Sequence, residues 1–276
     1  MRVRRPLTIP LMTFACVFVV HNGFRLFTSA LPTQPKADSV EQQQERAEPK
    51  YFFEPGGNTE LDHYDIRYFS GIVASEEKLM TLQLLIRSYL TVFQKYKIET
   101  WIAHGSLLGW WWNGKILPWD WDLDTQVSVS TLKWLATNLN MTIHDFKFME
   151  SVDNHKSRQY LLDVNPYAEG RSRGNGNNVI DARWIDTKNG LFIDITGLSE
   201  TEPGILSCKN DHRYRINDLY PLRDSMFEGV KAKVPFKFES ILTQEYSNRA
   251  LISTVYKGHH WASEQREWVK DPQRVT

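Results

Sequence analysis

"HGSLLGWWWNGKILPWDWDLD" occupies residues 104–124. It sets Asp120, Asp122 and Asp124 at every second position and surrounds them with tryptophans at 110–112, 119 and 121. Tryptophan favours burial, whereas a carboxylate needs water or a cation. An extended chain satisfies both, because residues i, i+2 and i+4 share one face and their neighbours take the other. The alternation predicts three carboxylates on one strand face, with Trp121 and Leu123 on the opposite face, running through a strand over residues 123–129. Like charges so close repel and raise one another's pKa when buried. A hard divalent cation, Mg²⁺ or Mn²⁺, relieves that repulsion and prefers oxygen ligands.

The flanking sequence supplies a setting. Leu82, Leu85, Ile86, Leu90 and Phe93, with Leu79 before them, recur at three- and four-residue steps and predict a helix over 75–96 with Ser75 in its N-cap region. Residues 100–103 read as a strand running into His104-Gly105-Ser106, where glycine lets backbone approach a ligand closely. A short helix is expected over 131–139, strands over 160–166 and 191–198, a loop over 171–178, and a helical tail over 238–255 with Leu242, Tyr246 and Leu251 as its apolar contacts. In "LFIDIT", Asp194 lies among apolar strand residues, where a charge needs a partner. It is the candidate for a further carboxylate at the site, with Asp186 as the alternative.

Composition bounds the function. Apolar residues are 41%, charged residues 24% and aromatics 13% of 276 residues, and the formal net charge is zero. There is no basic excess of the kind that nucleic-acid binding requires. The two cysteines, Cys16 and Cys208, leave the fold independent of disulfides. Cys208 and His212 admit a metal reading, against a buried thiol beside a polar histidine. Arg2, Arg4 and Arg5 precede an apolar run over 7–20 that continues to about 27. This admits a cleaved signal peptide, which would give a secreted chain, or a signal-anchor with the remainder lumenal; the expected arrangement is the anchor. The expected organisation is a cytosolic N-terminus (1–6), a transmembrane anchor (7–27), a Pro/Gln/Glu-rich linker (28–58) and a folded lumenal domain (59–276).

A strand, Gly-Ser, and an Asp-x-Asp strand shortly after resemble the nucleotidyltransferase superfamily that includes polymerase β. The longer string, with "YLLDVNP", "NVIDARWIDTKNGLFIDITGLSE" and "YPLRDSMFEGVKAKVPFKFESILTQEY", resembles the LicD/fukutin family over roughly residues 60–262, most closely its fungal mannosylphosphorylation branch. The resemblance implies an α+β, nucleotidyltransferase-like mixed sheet with flanking helices, and metal-dependent transfer of a phosphorylated group from a nucleotide-linked donor. GDP-mannose or a CDP-linked compound would be that donor and a glycan hydroxyl the acceptor, in a type II Golgi membrane protein. By that resemblance Asp122 and Asp124 hold the metal, with Asp120 in the same motif. Gly105 and Ser106 form the phosphate-side turn, and Asp194 is the later acidic residue, completing the metal shell or taking the acceptor's proton. Lys115 is a candidate phosphate contact, with Arg183 and His212 weaker ones, and the tryptophans at 110–112 would wall the site. The branch is also described as regulating a separate transferase, so a non-catalytic role beside a glycosyltransferase partner stays open, as does a carbohydrate-binding module.

Overall fold

The computed structural model describes residues 48–151 and 154–272. The expected anchor and most of the expected linker lie outside the described residues. Among those described, no helix is long and apolar enough to cross a membrane. The folded domain begins earlier than residue 59. Phe52 is buried, the Tyr51 hydroxyl donates to Asp163 at 2.9 Å, and Glu54 pairs with Arg183 at 2.6 Å.

In chain order, α1 (Ser75–Lys95) is followed by β1 (Trp101–Ile102), α2 (His104–Asn113), β2 (Asp124–Ser128) and α3 (Val129–Asn138). Then come β3 (Thr142–Ser151), β4 (Asn154–Val164), β5 (Ala182–Asp186), β6 (Phe192–Glu202), β7 (Ile205–Ser207) and β8 (Arg213–Arg215). A short α4 (Ile216–Leu219) leads to the hairpin β9 (Arg223–Phe227) and β10 (Val230–Val234). The chain closes with α5 (Phe238–Tyr246), α6 (Arg249–Ile252) and a small sheet of β11 (Val255–Tyr256), β12 (His259–Ala262) and β13 (Glu267–Lys270).

The main sheet runs β1-β2-β6-β5-β4-β3, and β7 and β8 extend it from β6. Its pairs are antiparallel except β2 with β6, which are parallel. The mixed α+β architecture is the one expected. Leu82, Leu85, Ile86, Tyr89 and Phe93 form the buried stripe of α1, and Tyr89 and Phe93 meet Trp184 of β5 edge-on. Leu79 lies outside that stripe at 40% exposure, while Lys78 is buried. Ser75 is the first helical residue rather than the cap, a place held by Ala74 without a side-chain bond.

Three local expectations are corrected. Gly105 and Ser106 lie in the first turn of α2, not in a turn closing a strand. That helix buries Leu107 and Gly109 and stops at Gly114, whose φ of +73° suits glycine as a left-handed cap. Asp120 and Asp122 precede β2, and only Asp124 belongs to it. The expected tail helix is broken into α5 and α6 at Ser247, where φ is +63°. Leu242 and Leu251 are buried as expected, whereas Tyr246 is 38% exposed.

Candidate functional site

A cavity of about 650 Å³ opens beside the end of α2 and the approach to β2. Gly105, Asp120, Asp122 and Asp124 line it. The side-chain alternation therefore holds although residues 120–122 fall outside the strand: Leu123 is 1% exposed, and Trp121 packs toward Tyr64 in the core. A side chain at position 105 would place its Cβ 3.4 Å from Asp120 Oδ2, so glycine lets the helix lie close against that carboxylate. At Gly109 a Cβ would collide with the carbonyl of Lys115, which fixes glycine where the loop folds back on α2.

The loop carrying Asp120 is tied from α1. Lys78 donates to the carbonyls of Asp120 at 2.8 Å and Pro118 at 3.3 Å, and its ammonium sits 4.6 Å from the centre of the Trp121 ring. Ser106 is buried, and its hydroxyl accepts the Asp124 backbone N–H at 3.0 Å. Ser106 thus positions Asp124 and does not line the cavity.

Asp124 and Asp194 are register partners on the parallel strands β2 and β6, so their side chains leave the same sheet face. Asp194 is not among the cavity-lining residues. Its Oδ1 accepts from Arg183 Nε at 2.8 Å, and Arg183 is also its register partner on β5. Arg183 is buried, stacks 3.6 Å from the Phe192 ring centre and pairs with Glu54. These contacts engage its Nε and Nη2, and it does not line the cavity. Asp186, the alternative carboxylate, is buried against Arg158 at 2.7 Å. Lys115 pairs with Glu267, and neither lines the cavity.

Electrostatics sets the aspartates apart from an ordinary surface. Burial, and then repulsion from Asp122, pushes Asp120 up to about 7, while Lys257 and Lys78 pull it back. Burial, and then repulsion by Asp122, Asp194 and Asp120 against the attraction of His104, raises Asp124 well above the usual carboxylate range. Burial also raises Asp194, against the pull of Arg183. No hydrogen bond or ion pair among the described residues reaches the carboxylates of Asp120, Asp122 or Asp124. Clustered carboxylates that face a cavity without a hydrogen-bond or ion-pair partner suit a hard divalent cation that takes one or two of them and fills its shell with other oxygens. Asp122 and Asp124, with Asp120 beside them, are the residues that would hold it.

A second polar cluster lies on the other side of His104. Among the described residues, the ligand atoms of His104, His212 and Glu245 lie within 4.8 Å of one another. Cys208 is outside this group; its amide donates to the His212 carbonyl at 3.1 Å. Hydrogen bonds tie these groups to Trp101, Gln126 and Tyr214. The Trp101 indole N–H can only donate, and it meets Gln126 Oε1 at 3.0 Å. That turns Gln126 Nε2 toward His104 Nε2 at 3.4 Å, leaving Nε2 the acceptor and Nδ1 the donor to Glu245 at 3.0 Å. Tyr214 donates to the same Glu245 at 2.8 Å. Burial would raise Glu245, but His104, Tyr214 and His212 together hold it below its usual value. The network anchors α5 to the start of α2, where His104 adopts a φ of +49°. His104 and Glu245 are 141 residues apart, and no local pattern signals their pairing.

Of the three tryptophans expected to wall the site, Trp112 lines the cavity, joined by Trp119 and Trp268. Trp112 and Trp268 have ring centres 4.8 Å apart, and Trp119 and Trp268 5.0 Å. Trp110 instead donates to Ser225 at 2.8 Å and packs on Phe238. The cavity wall from β13 was not legible from the sequence, since its residues carry no periodic signal.

Two proteins of Saccharomyces cerevisiae (strain ATCC 204508 / S288c) are similar to parts of this chain. Mannosyltransferase regulator 4 is 36% identical over 160 residues, covering 55% of this chain and 13% of that protein. Mannosyltransferase regulator 14 is 34% identical over 158 residues, covering 54% of this chain and 16% of that protein. The chain thus spans under a fifth of the length of these curated relatives. Residues 97–237, which include α2, the three aspartates and Asp194, match the model described as LicD/FKTN/FKRP, nucleotidyltransferase domain, and the chain belongs to that family.

Proposed function

We propose that this domain transfers a sugar phosphate, with mannosylphosphate as the group moved, from a nucleotide-diphosphate donor such as GDP-mannose to a glycan hydroxyl. The observation that carries this reading is the set of cavity-facing aspartates whose carboxylates no hydrogen bond or ion pair among the described residues reaches, inside the family-matched residues. Asp122 and Asp124 would hold a divalent cation, which would supply Lewis-acid polarisation and charge neutralisation at the donor diphosphate. Asp120 faces the same cavity with its carboxylate free of hydrogen bonds and ion pairs among the described residues, and is placed to accept the acceptor's proton. The acceptor oxygen forms a bond to the phosphorus bearing mannose, the bond from that phosphorus to the bridging oxygen breaks, and GMP leaves. Asp194, held by Arg183, fixes the charge behind Asp124. The N-terminal apolar run fits an anchored lumenal enzyme of the Golgi.

The second reading is a non-catalytic partner of a separate mannosyltransferase, favoured by the names of the two yeast relatives. Nucleotide release separates the two. The purified chain is incubated with Mn²⁺ or Mg²⁺, GDP-mannose or CDP-linked donors, and a mannan acceptor. Release of GMP or CMP that Asp122→Ala and Asp124→Ala abolish supports transfer. No release with any donor, together with stable capture of a mannosyltransferase, sinks the catalytic reading.

A further inference from the structure

More than half of the cavity lining comes from beyond residue 237, outside the family-matched stretch. Two cations stand in that part, Arg249 at the start of α6 and Lys257 between β11 and β12. Both side chains are exposed, and neither makes a hydrogen bond or ion pair among the described residues. Lys257 lines the same cavity as Asp120, and its ammonium lies 5.7 Å from the centre of the Tyr256 ring.

The backbone at Lys257 adds an independent observation. Tyr256 pairs with His259, so Lys257-Gly258 is a two-residue hairpin loop. Its φ angles are +43° and +71°, the left-handed pair of a type I′ turn. Asn or Asp is favoured at the first position, because a short polar side chain tolerates that region, and lysine is not. A strained lysine at the rim of a cavity that already holds unpaired aspartates points to work for its side chain.

We infer that Arg249 and Lys257 receive the phosphate groups of the donor, and that the C-terminal segment supplies the anion-binding wall of the cavity. This rests on the carboxylate site proposed above. A diphosphate would offset the positive charges of these two side chains, while a cation held by the aspartates would offset theirs and the remaining phosphate charge. Arginine contributes a fork that matches phosphate oxygens, and lysine a point charge. Trp112, Trp119 and Trp268 beside them present flat apolar faces of the kind on which a sugar or base stacks.

The test uses the purified full chain, with Mn²⁺ alone followed by electron paramagnetic resonance and Mn²⁺ with inorganic pyrophosphate followed by calorimetry. Lys257→Asn removes the charge while installing the residue the turn prefers, so its unfolding midpoint should equal or exceed that of the wild type. Arg249→Gln removes the other charge on an exposed position. Each variant should keep Mn²⁺ binding and weaken pyrophosphate binding about tenfold, and the pair about a hundredfold. Lys231→Asn, an exposed lysine of β10 outside this cavity, should leave both unchanged. Pyrophosphate affinity within twofold of the wild type in both variants overturns the inference. Wild-type protein that binds Mn²⁺ but no pyrophosphate overturns it too and leaves the carboxylate centre standing. Absence of Mn²⁺ binding overturns the centre itself.

Discussion

Asp120→Asn should stabilise the metal-free protein at alkaline pH. Asp120 has an ordinary value of 3.8 and is pushed to about 7 by burial and then by Asp122. A carboxyl whose pKa is raised on folding binds its proton more tightly in the folded state. Stability is therefore undiminished below the unfolded value and falls as pH climbs toward the folded value. About three pK units correspond to about 4 kcal/mol at pH 8. Asp120 faces the cavity, and solvent screening there brings the observable effect to roughly 2–4 kcal/mol. Asparagine removes the charge and keeps the shape. Urea unfolding with EDTA should show the variant more stable than the wild type by that amount at pH 8, and by under about 1 kcal/mol at pH 4. Adding Mn²⁺ at pH 8 should raise the wild type more than the variant, because ligand binding to the folded state alone stabilises it. A variant less stable than the wild type at pH 8 in EDTA, or a difference independent of pH, would show that the carboxylates are not a destabilising cluster awaiting a cation.

Two further outcomes follow from the same site. Arg183→Leu leaves Asp194 and Glu54 without their partner and should cost about 3–5 kcal/mol in thermal or urea unfolding, with partial recovery when Asp194→Asn is added; an unaltered midpoint would show that Arg183 does not compensate those charges. Ser106→Ala removes the acceptor of the Asp124 N–H and should cost about 1–2 kcal/mol while weakening Mn²⁺ binding in calorimetry; unchanged metal affinity would show that Asp124 is positioned without it.

What the sequence disclosed was what short-range alternation can carry. Asp120, Asp122 and Asp124 were legible because a two-residue period sends carboxylates and tryptophans to opposite sides. Asp194 was legible because a charge amid Phe192, Ile193 and Ile195 demands a partner. The partner, however, is Arg183 from an adjacent strand, which also holds Glu54 of the segment assigned to the linker. Neither connection has a local signature. The Gly105-Ser106 turn was misread because a helix containing two glycines and three tryptophans goes against intrinsic propensity, and packing of Leu107 and Gly109 prevails. Lys115 illustrates the limit of proximity in sequence: five residues from Asp120, it turns away to Glu267. Arg249 and Lys257 lie far from the motif in sequence and arrive only through the C-terminal fold.

The three tryptophans at the cavity give the protein an optical property. Trp112 and Trp119 approach Trp268 closely enough for their indole transitions to couple, and all three border the cavity. Their near-ultraviolet dichroism and emission therefore report on whatever enters it. Titrations of unlabelled donors can be followed on the unmodified chain, and Trp268→Phe should dim the response while leaving every aspartate in place.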